Sequence, residues 1–123
     1  MTRSAPRPLT VLFVCEHGVF RSRVAAAFFD LHAPAQWRAA SAGRDPGGTV
    51  ETAARLLAGT PAATQLDTAA PRHVDAFVDA DRVITIDCDL PGAIRWSLDH
   101  DDAEGVVAEL RGRVQALVAE LAR

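Results

Sequence analysis

A cysteine and an arginine stand at a spacing that suits oxyanion chemistry. Cys15 follows the apolar run of residues 11–14, and Arg21 comes six residues later, immediately before Ser22. A planar guanidinium presents two parallel donors to a tetrahedral oxyanion. A thiol in a positively polarised turn is stabilised as the nucleophilic thiolate. These residues predict an active loop in which Cys15 attacks, Arg21 binds the oxyanion and Ser22 hydrogen-bonds the sulfur.

The residues between Cys15 and Arg21 complete the predicted oxyanion site. In a strand–loop–helix connection, successive backbone N–H groups point into one concavity, and the start of the helix adds partial positive charge. We therefore assign oxyanion binding to the whole loop: Glu16, His17, Gly18, Val19, Phe20, Arg21 and Ser22. The side chains of Glu16 and His17 are expected to point outward. The alternative without a function is that Cys15 is a core residue and Arg21 a surface charge. The fixed spacing from Cys15 to the arginine, the serine and the start of the predicted helix favours the active loop.

Strands that alternate with helices predict the scaffold for this loop. The apolar residues of the segment 9–14 do not alternate with polar ones, which indicates a strand that is buried on both faces. Further strands are predicted at residues 36–40, 82–86 and 93–96, and helices at residues 22–31, 50–57, 71–78 and 106–121. This order indicates an α/β fold with a parallel sheet covered on both faces. Ligands of such sheets bind at the carboxyl ends of the strands, which is where Cys15 lies.

The composition limits the other functions. The 123 residues suffice for one domain, which we assign to residues 9–123 after a loose arm at residues 1–8. The net charge of −3 argues against nucleic-acid binding, and no apolar run reaches the ~18 residues of a membrane span. We expect a cytoplasmic protein. Two cysteines and four scattered histidines predict neither a disulfide scaffold nor a metal site.

The motif V-L-F-V-C-x5-R-S resembles that of the low-molecular-weight protein-tyrosine phosphatase superfamily, which includes thiol-dependent arsenate reductases. Three further segments resemble superfamily segments and occur in the same order. Ser41-Ala42-Gly43 resembles its S-A-G, residues 65–68 resemble its I-D-I-S, and residues 96–101 resemble its general-acid loop. The resemblance implies a single three-layer α/β/α domain with about four parallel strands in the order 2-1-3-4.

Two departures from the superfamily pattern concern the site. Gly18 stands where the superfamily usually has an asparagine that supports a left-handed turn, a conformation that glycine reaches unaided. The acid loop reads WSLDHDD instead of W-x-x-x-D-P, so that Asp99, Asp101 and Asp102 compete for the acid's role. Asp101 with Glu104 resembles a capping box, and Asp102 suits the first turn of the last helix. This leaves Asp99 as the predicted general acid.

Three functions remain open at this point. Cys-x-His in the loop, residues 84–88 (ITIDC) and Trp96 resemble the arsenate reductases, in which the cysteine attacks arsenate and a second thiol releases arsenite. The alternative is a phosphatase that hydrolyses phosphomonoesters through a phosphocysteine, and Ile86-Asp87 resembles that branch. The third is a non-catalytic module that binds anions or senses redox state. Cys88 is the candidate redox partner, and because it is the one further thiol, we favour an external low-molecular-weight thiol with a glutaredoxin-type partner and no bound cofactor.

Overall fold

Four parallel strands form the centre of the structure, a computed structural model that describes residues 7–123. The strands are β1 (Leu9–Cys15), β2 (Trp37–Gly43), β3 (Arg82–Ile86) and β4 (Ile94–Trp96). They form one sheet in the order β2-β1-β3-β4, which confirms the predicted order. Of the predicted arm, residues 1–6 lie outside the described part, and Arg7 and Pro8 lead directly into β1.

Three α-helices cover one face of the sheet: α1 (Arg21–His32), α2 (Glu51–Leu57) and α3 (Ala103–Leu121). Val11 and Phe13 of β1 point into this face, and the Phe13 ring meets the ring of Phe29 on α1 edge-on, with the centroids 6.0 Å apart. The predicted apolar stripe of α3 is confirmed, with Val106 and Leu110 buried in the same core. A 3₁₀ helix at Pro61–Gln65, which the sequence did not predict, packs against α1. Across residues 7–123 no helix is long and apolar enough to cross a membrane.

The opposite face of the sheet has a thinner cover than predicted. Residues 71–78 do not form the predicted α-helix. Only Val74–Ala76 make one turn of 3₁₀ helix, and Val78 is 83% exposed. The backbone before this turn has other partners: the carbonyl of Arg72 accepts from the amide of Gly43 at 2.8 Å, and His73 forms a bridge with Gly43. The segment is therefore extended along the end of β2. Val74 and Phe77 of the segment still pack on the small core that Leu12 and Val14 form on this face.

Strand β2 is longer than predicted. Residues 41–43 were expected to close the strand, but they continue the parallel pairing with β1, from Phe13 opposite Ser41 to Cys15 opposite Gly43. Ser41 and Ala42 are buried, and their small side chains allow the neighbouring chain to approach. The end of β2 therefore lies directly beside the cysteine.

The N-terminus of α3 is capped by a different residue from the predicted one. The carboxylate of Asp102, rather than Asp101, accepts a hydrogen bond from the amide of Gly105 at 2.8 Å. The predicted capping box of Asp101 with Glu104 is therefore wrong, since the helix begins one residue later. Asp101 is exposed and has no capping role, so capping does not distinguish it from Asp99 as the acid.

The cap can be tested by substitution. Asp102→Ala should lower the free energy of unfolding by about 1 kcal/mol, because the Gly105 amide loses its acceptor. Asp102→Asn should retain most of that stability, since asparagine also caps helices. Asp101→Ala serves as the control and should change stability by less than about 0.5 kcal/mol. Urea denaturation measures all three, and an equal loss for Asp101→Ala and Asp102→Ala would contradict this assignment of the cap.

Candidate active site

Two backbone amides and one hydroxyl group, from the loop after β1 and the start of α1, contact the sulfur of Cys15. The residue ends β1, and α1 begins at Arg21, so residues 16–20 must turn the chain between them. The amides of Gly18 and Ser22 donate to Cys15 Sγ at 3.3 and 3.4 Å, and Ser22 Oγ lies 3.1 Å from the sulfur. A thiol donates its proton to that hydroxyl oxygen, whereas a thiolate accepts from it. All three contacts are therefore available to stabilise negative charge on the sulfur.

The backbone that follows β2 holds the loop from outside. The amide of Arg44 donates to the carbonyl of Cys15 at 3.1 Å, and the amide of Asp45 donates to Glu16 at 2.7 Å. The amide of Gly47 donates to the carbonyl of His17 at 3.2 Å. Because the C=O and N–H of a trans peptide point in opposite directions, fixing these carbonyls outward turns the N–H groups of the loop inward. The predicted anion site requires N–H groups that point in this direction.

Gly18 and Gly43 approach so closely that neither has room for a side chain. Gly18 has a φ of +72°, which confirms the expected left-handed turn. A Cβ at Gly18 would lie 2.7 Å from the amide nitrogen of Gly43, and a Cβ at Gly43 would lie 2.6 Å from the carbonyl carbon of His17. Both contacts are with backbone atoms, which cannot rotate away. The loop therefore requires glycine at both positions for reasons of space as well as conformation.

A cleft of about 100 Å³ opens beside the sulfur. It is lined by Cys15, Glu16, His17, Val19, Phe20, Arg21, Ile86 and Asp87. A water molecule takes about 30 Å³ in the liquid, so the cleft suits a small ligand. A larger cavity of about 580 Å³ lies between α1 and α3, but no cysteine lines it. The chemistry therefore favours the smaller cleft.

Arg21 is held at the cleft by an acidic residue that the sequence analysis did not assign to the site. Asp87 Oδ2 lies 3.3 Å from Arg21 Nε, although that buried N–H makes no hydrogen bond of good geometry within the described residues. Asp87 has a φ of +54°, which is a strained conformation for a residue other than glycine. Its place at the carboxyl end of β3, beside the end of β1, is the signal that would have identified it.

The other predicted loop residues take different positions. The side chain of Glu16 turns toward Arg44, with the charged groups 3.7 Å apart. The ring of His17 is exposed, and its Nδ1 lies 2.9 Å from the carbonyl oxygen of Asp45. Both side chains thus point outward, as the sequence analysis expected.

Asp99 does not line the cleft, but it directly follows Leu98, whose amide contacts the cleft residue Asp87. The amide of Leu98 donates to Asp87 Oδ1 at 2.9 Å, which ties the acid loop to the wall of the cleft. The amide of Asp99 donates to Glu109 Oε1 of α3 at 2.8 Å. Asp101 lies two residues further along, next to the cap of α3. Of these two candidates, Asp99 is therefore nearer the anchored part of the loop.

Glu109 anchors the acid loop to α3 over a defined pH range. Burial alone would raise the pKa of Glu109, but hydrogen bonds from His100, Arg113 and the backbone of the loop lower it to about 2. The hydrogen bond to Glu109 raises the pKa of His100 above 6.5. The contribution of ionised Glu109 to folding stability is complete above about pH 4.5 and is lost as the pH falls through about 2. The contribution of protonated His100 to folding stability is complete below pH 6.5 and is lost as the pH rises through the raised pKa of His100.

Cys88 is a buried thiol on the other face of the sheet. It is 5% exposed, belongs to the small core with Leu12 and Val14, and its Sγ donates to the carbonyl of Val14 at 3.6 Å. Burial raises the pKa of Cys88, and the nearby charge of Cys15 adds to the rise. Cys88 is therefore held as a protonated thiol, and both cysteines are free. Among the described residues, no group of three histidine, cysteine or acidic side chains is placed to hold a metal ion.

Comparison with solved structures gives matches over nearly the whole chain. An arsenate reductase from Archaeoglobus fulgidus is 35% identical, and the match covers 89% of this chain and 98% of that chain with a TM-score of 0.73. A thioredoxin-dependent arsenate reductase from Corynebacterium glutamicum is 26% identical, covering 98% of this chain and 66% of that one, also with a TM-score of 0.73. A low-molecular-weight protein tyrosine phosphatase from T. tengcongensis shares the fold, with a TM-score of 0.71, 19% identity and coverage of 91% and 99%. No protein-family model and no curated protein sequence matches the chain.

The fold and the loop define a class of α/β proteins in which a cysteine loop lies at the carboxyl edge of a parallel sheet. With 35% identity over 89% of its length to one member, the chain belongs to the superfamily of arsenate reductases and low-molecular-weight protein-tyrosine phosphatases. This confirms the resemblance that the loop motif indicated.

The close approach of the two glycines predicts that the superfamily's usual asparagine does not fit here. Gly18→Asn should destabilise the protein by about 1–3 kcal/mol, because the new Cβ meets the backbone of Gly43 and something must move. Gly92→Asn is the matched control, since Gly92 has a φ of +80° but nothing within 4 Å of its Cβ position. Urea denaturation compares the two variants. A loss no larger for Gly18→Asn than for Gly92→Asn would show that the loop tolerates a side chain.

Proposed function

We propose that the protein is an arsenate reductase in which Cys15 attacks arsenate and an external thiol completes the reduction. The observation that carries the proposal is the 35% identity to the Archaeoglobus fulgidus arsenate reductase, in a chain that has a cysteine loop of suitable geometry. The catalytic domain comprises residues 9–123. The mechanism requires Cys15 as a free thiol, so we place the enzyme in the reducing cytoplasm.

The first step is nucleophilic attack on arsenic. Arsenate enters the cleft, where the loop amides and the guanidinium of Arg21 bind its oxygens. The Cys15 thiolate forms an S–As bond, and one oxygen of arsenate leaves as water after taking up protons. Ser22, whose Oγ lies 3.1 Å from the sulfur, stabilises the thiolate before the attack. The ion pair with Asp87 keeps Arg21 beside the cleft.

The second step needs another thiol, because two electrons must reach arsenic. That thiol attacks Cys15 Sγ and forms an S–S bond, while the S–As bond breaks and its electron pair leaves with arsenic as arsenite. Overall, two thiols are oxidised to a disulfide, arsenic(V) is reduced to arsenic(III), and one water is released. Cys88 is a poor source of this thiol, since it is buried, protonated and packed on the other face of the sheet. An external low-molecular-weight thiol, regenerated by a glutaredoxin-type partner, fits this chain better.

Asp99 supplies the proton for the departing oxygen. Asp87 is an unsuitable donor, although it lines the cleft, because its carboxylate pairs with Arg21 and accepts from the amide of Leu98. Asp99 directly follows Leu98, whose amide contacts Asp87 of the cleft, and it is exposed, so we assign the proton to its carboxyl group.

A phosphatase is the alternative, since phosphate and arsenate have the same tetrahedral geometry. In that reaction Cys15 attacks phosphorus, the alcohol leaves with a proton from Asp99, and water cleaves the phosphocysteine. The T. tengcongensis phosphatase supports this alternative through its fold alone. The non-catalytic alternative keeps the anion site but carries out neither reaction.

Two assays on one preparation test the proposal. We expect arsenate-dependent oxidation of glutathione in the presence of glutaredoxin to be robust, and turnover of p-nitrophenyl phosphate to be feeble. Cys15→Ser should abolish the reduction, whereas the matched variant Cys88→Ser should retain most of it, because an external thiol provides the second sulfur. Dominant phosphate-ester hydrolysis would identify a phosphatase, and loss of reduction in Cys88→Ser would show that Cys88 supplies the second thiol. Neither activity above background would leave an anion-binding module.

The acid is tested with a pair of variants. Asp99→Asn should slow turnover about 10²-fold or more, the usual contribution of a general acid, because asparagine cannot donate the proton to the departing oxygen. Asp101→Asn is the control and should change turnover little. The pH profile of kcat should lose its basic limb only in Asp99→Asn. A larger loss in Asp101→Asn would move the acid to that residue.

A further inference from the structure

Arg23 is a fully buried arginine in a position that ordinary helix chemistry disfavours. It is 1% exposed, and it stands in the first turn of α1, two residues after Arg21. A buried guanidinium is costly unless it is paired, and a cation in the first turn opposes the helix dipole. Burial lowers the pKa of Arg23, whereas the charges of Asp67 and Cys15 act in the opposite direction. Such a departure from local preference indicates a local role.

The guanidinium connects the active loop to a segment from a distant part of the chain. Arg23 Nε donates to the carbonyl of Gly18 at 2.8 Å, and Nη1 donates to the carbonyl of Asp67 at 2.7 Å. The carboxylate of Asp67 lies 3.5 Å from Nη1 and also pairs with Arg72. Two backbone carbonyls and one carboxylate thus surround the buried charge. The second terminal nitrogen, Nη2, has no hydrogen-bond partner among the described residues.

The contact with Gly18 determines how the loop presents its amides. Gly18 has no side chain to restrain its turn, and glycine is the residue whose backbone rotates most freely. Its own N–H donates to Cys15 Sγ at 3.3 Å, which fixes the peptide before it. Arg23 fixes the peptide after it, and because that peptide is trans, holding its C=O toward Arg23 turns the N–H of Val19 the other way. Val19 lines the cleft beside Cys15.

We propose that Arg23 is a positioning residue for the oxyanion site, which holds the carbonyl of Gly18 so that the amide of Val19 faces the bound anion. The inference rests on the proposed function, because it gives a role to a residue behind the same site. Asp67 fixes the other side of the guanidinium through its carbonyl and its carboxylate. Arg21 and Arg23 then have different tasks, since the first contacts the ligand and the second shapes the loop that contacts it.

The decisive variant is Arg23→Lys, which keeps a positive charge opposite Asp67 but cannot donate to both carbonyls. Arg23→Met removes the charge and the donors while keeping much of the side-chain volume. Arg111→Met, at an exposed arginine of α3, is the matched control. For each folded variant we would measure the rate at which iodoacetamide alkylates Cys15, the protection that arsenate and phosphate give, and kcat and KM for arsenate. The alkylation and protection measurements do not require that the enzyme turn over.

We expect Arg23→Lys to need about 10-fold or more arsenate for half-protection of Cys15, since the loss of a charged hydrogen bond has about this size. KM for arsenate should rise by a similar factor, and Arg111→Met should match the wild type. Unchanged protection in Arg23→Lys would overturn the inference, whether or not Arg23→Met folds, and would leave Arg23 a purely structural residue. If arsenate did not protect wild-type Cys15 at all, the proposed function would fail and this inference with it.

Discussion

The close contact between the backbones of Gly18 and Gly43 is the constraint on which the rest of the site depends. It brings the end of β2 against the cysteine loop, so that the amides of residues 44–47 can bind the carbonyls of residues 15–17. A side chain on either glycine would separate these segments. The anion-binding face of the loop then follows from peptide geometry, because carbonyls that are bound on the outside leave N–H groups on the inside. The site is therefore made by backbone packing, and the side chains complete it.

The sequence was sufficient to predict the parts of the molecule that local patterns determine. The apolar run before Cys15, the arginine after the loop and the stripe of α3 each depend on neighbouring residues, and the structure confirms these elements. The failures have a common cause. Residues 71–78 have a helical pattern, but the backbone of Arg72 and His73 pairs with Gly43, which is distant in sequence. The pairing of Arg21 with Asp87 likewise joins two residues that are distant in sequence.

Two arginines of the same helical turn show how burial changes the role of one residue type. Arg21 remains one-third exposed and pairs with Asp87 at the cleft, so its donors can turn to a ligand. Arg23 is enclosed, and two of its nitrogens are committed to backbone carbonyls. From the sequence alone, R-S-R gives the two equal weight, and the loop motif directs attention to the first. Only the tertiary contacts of Gly18 and Asp67 reveal that the second is in contact with the loop.

The placement of the thiols bears on the reductant more strongly than their number does. Cys15 lines a cleft, and the amides of Gly18 and Ser22 donate to its sulfur, whereas Cys88 is packed among apolar residues and its burial raises its pKa. A neutral thiol attacks a sulfur slowly, because the thiolate is the nucleophile. A disulfide between the two would also require Cys88 to leave the small core behind the sheet. In the proposed mechanism an external thiol meets neither obstacle, since the cleft opens beside Cys15.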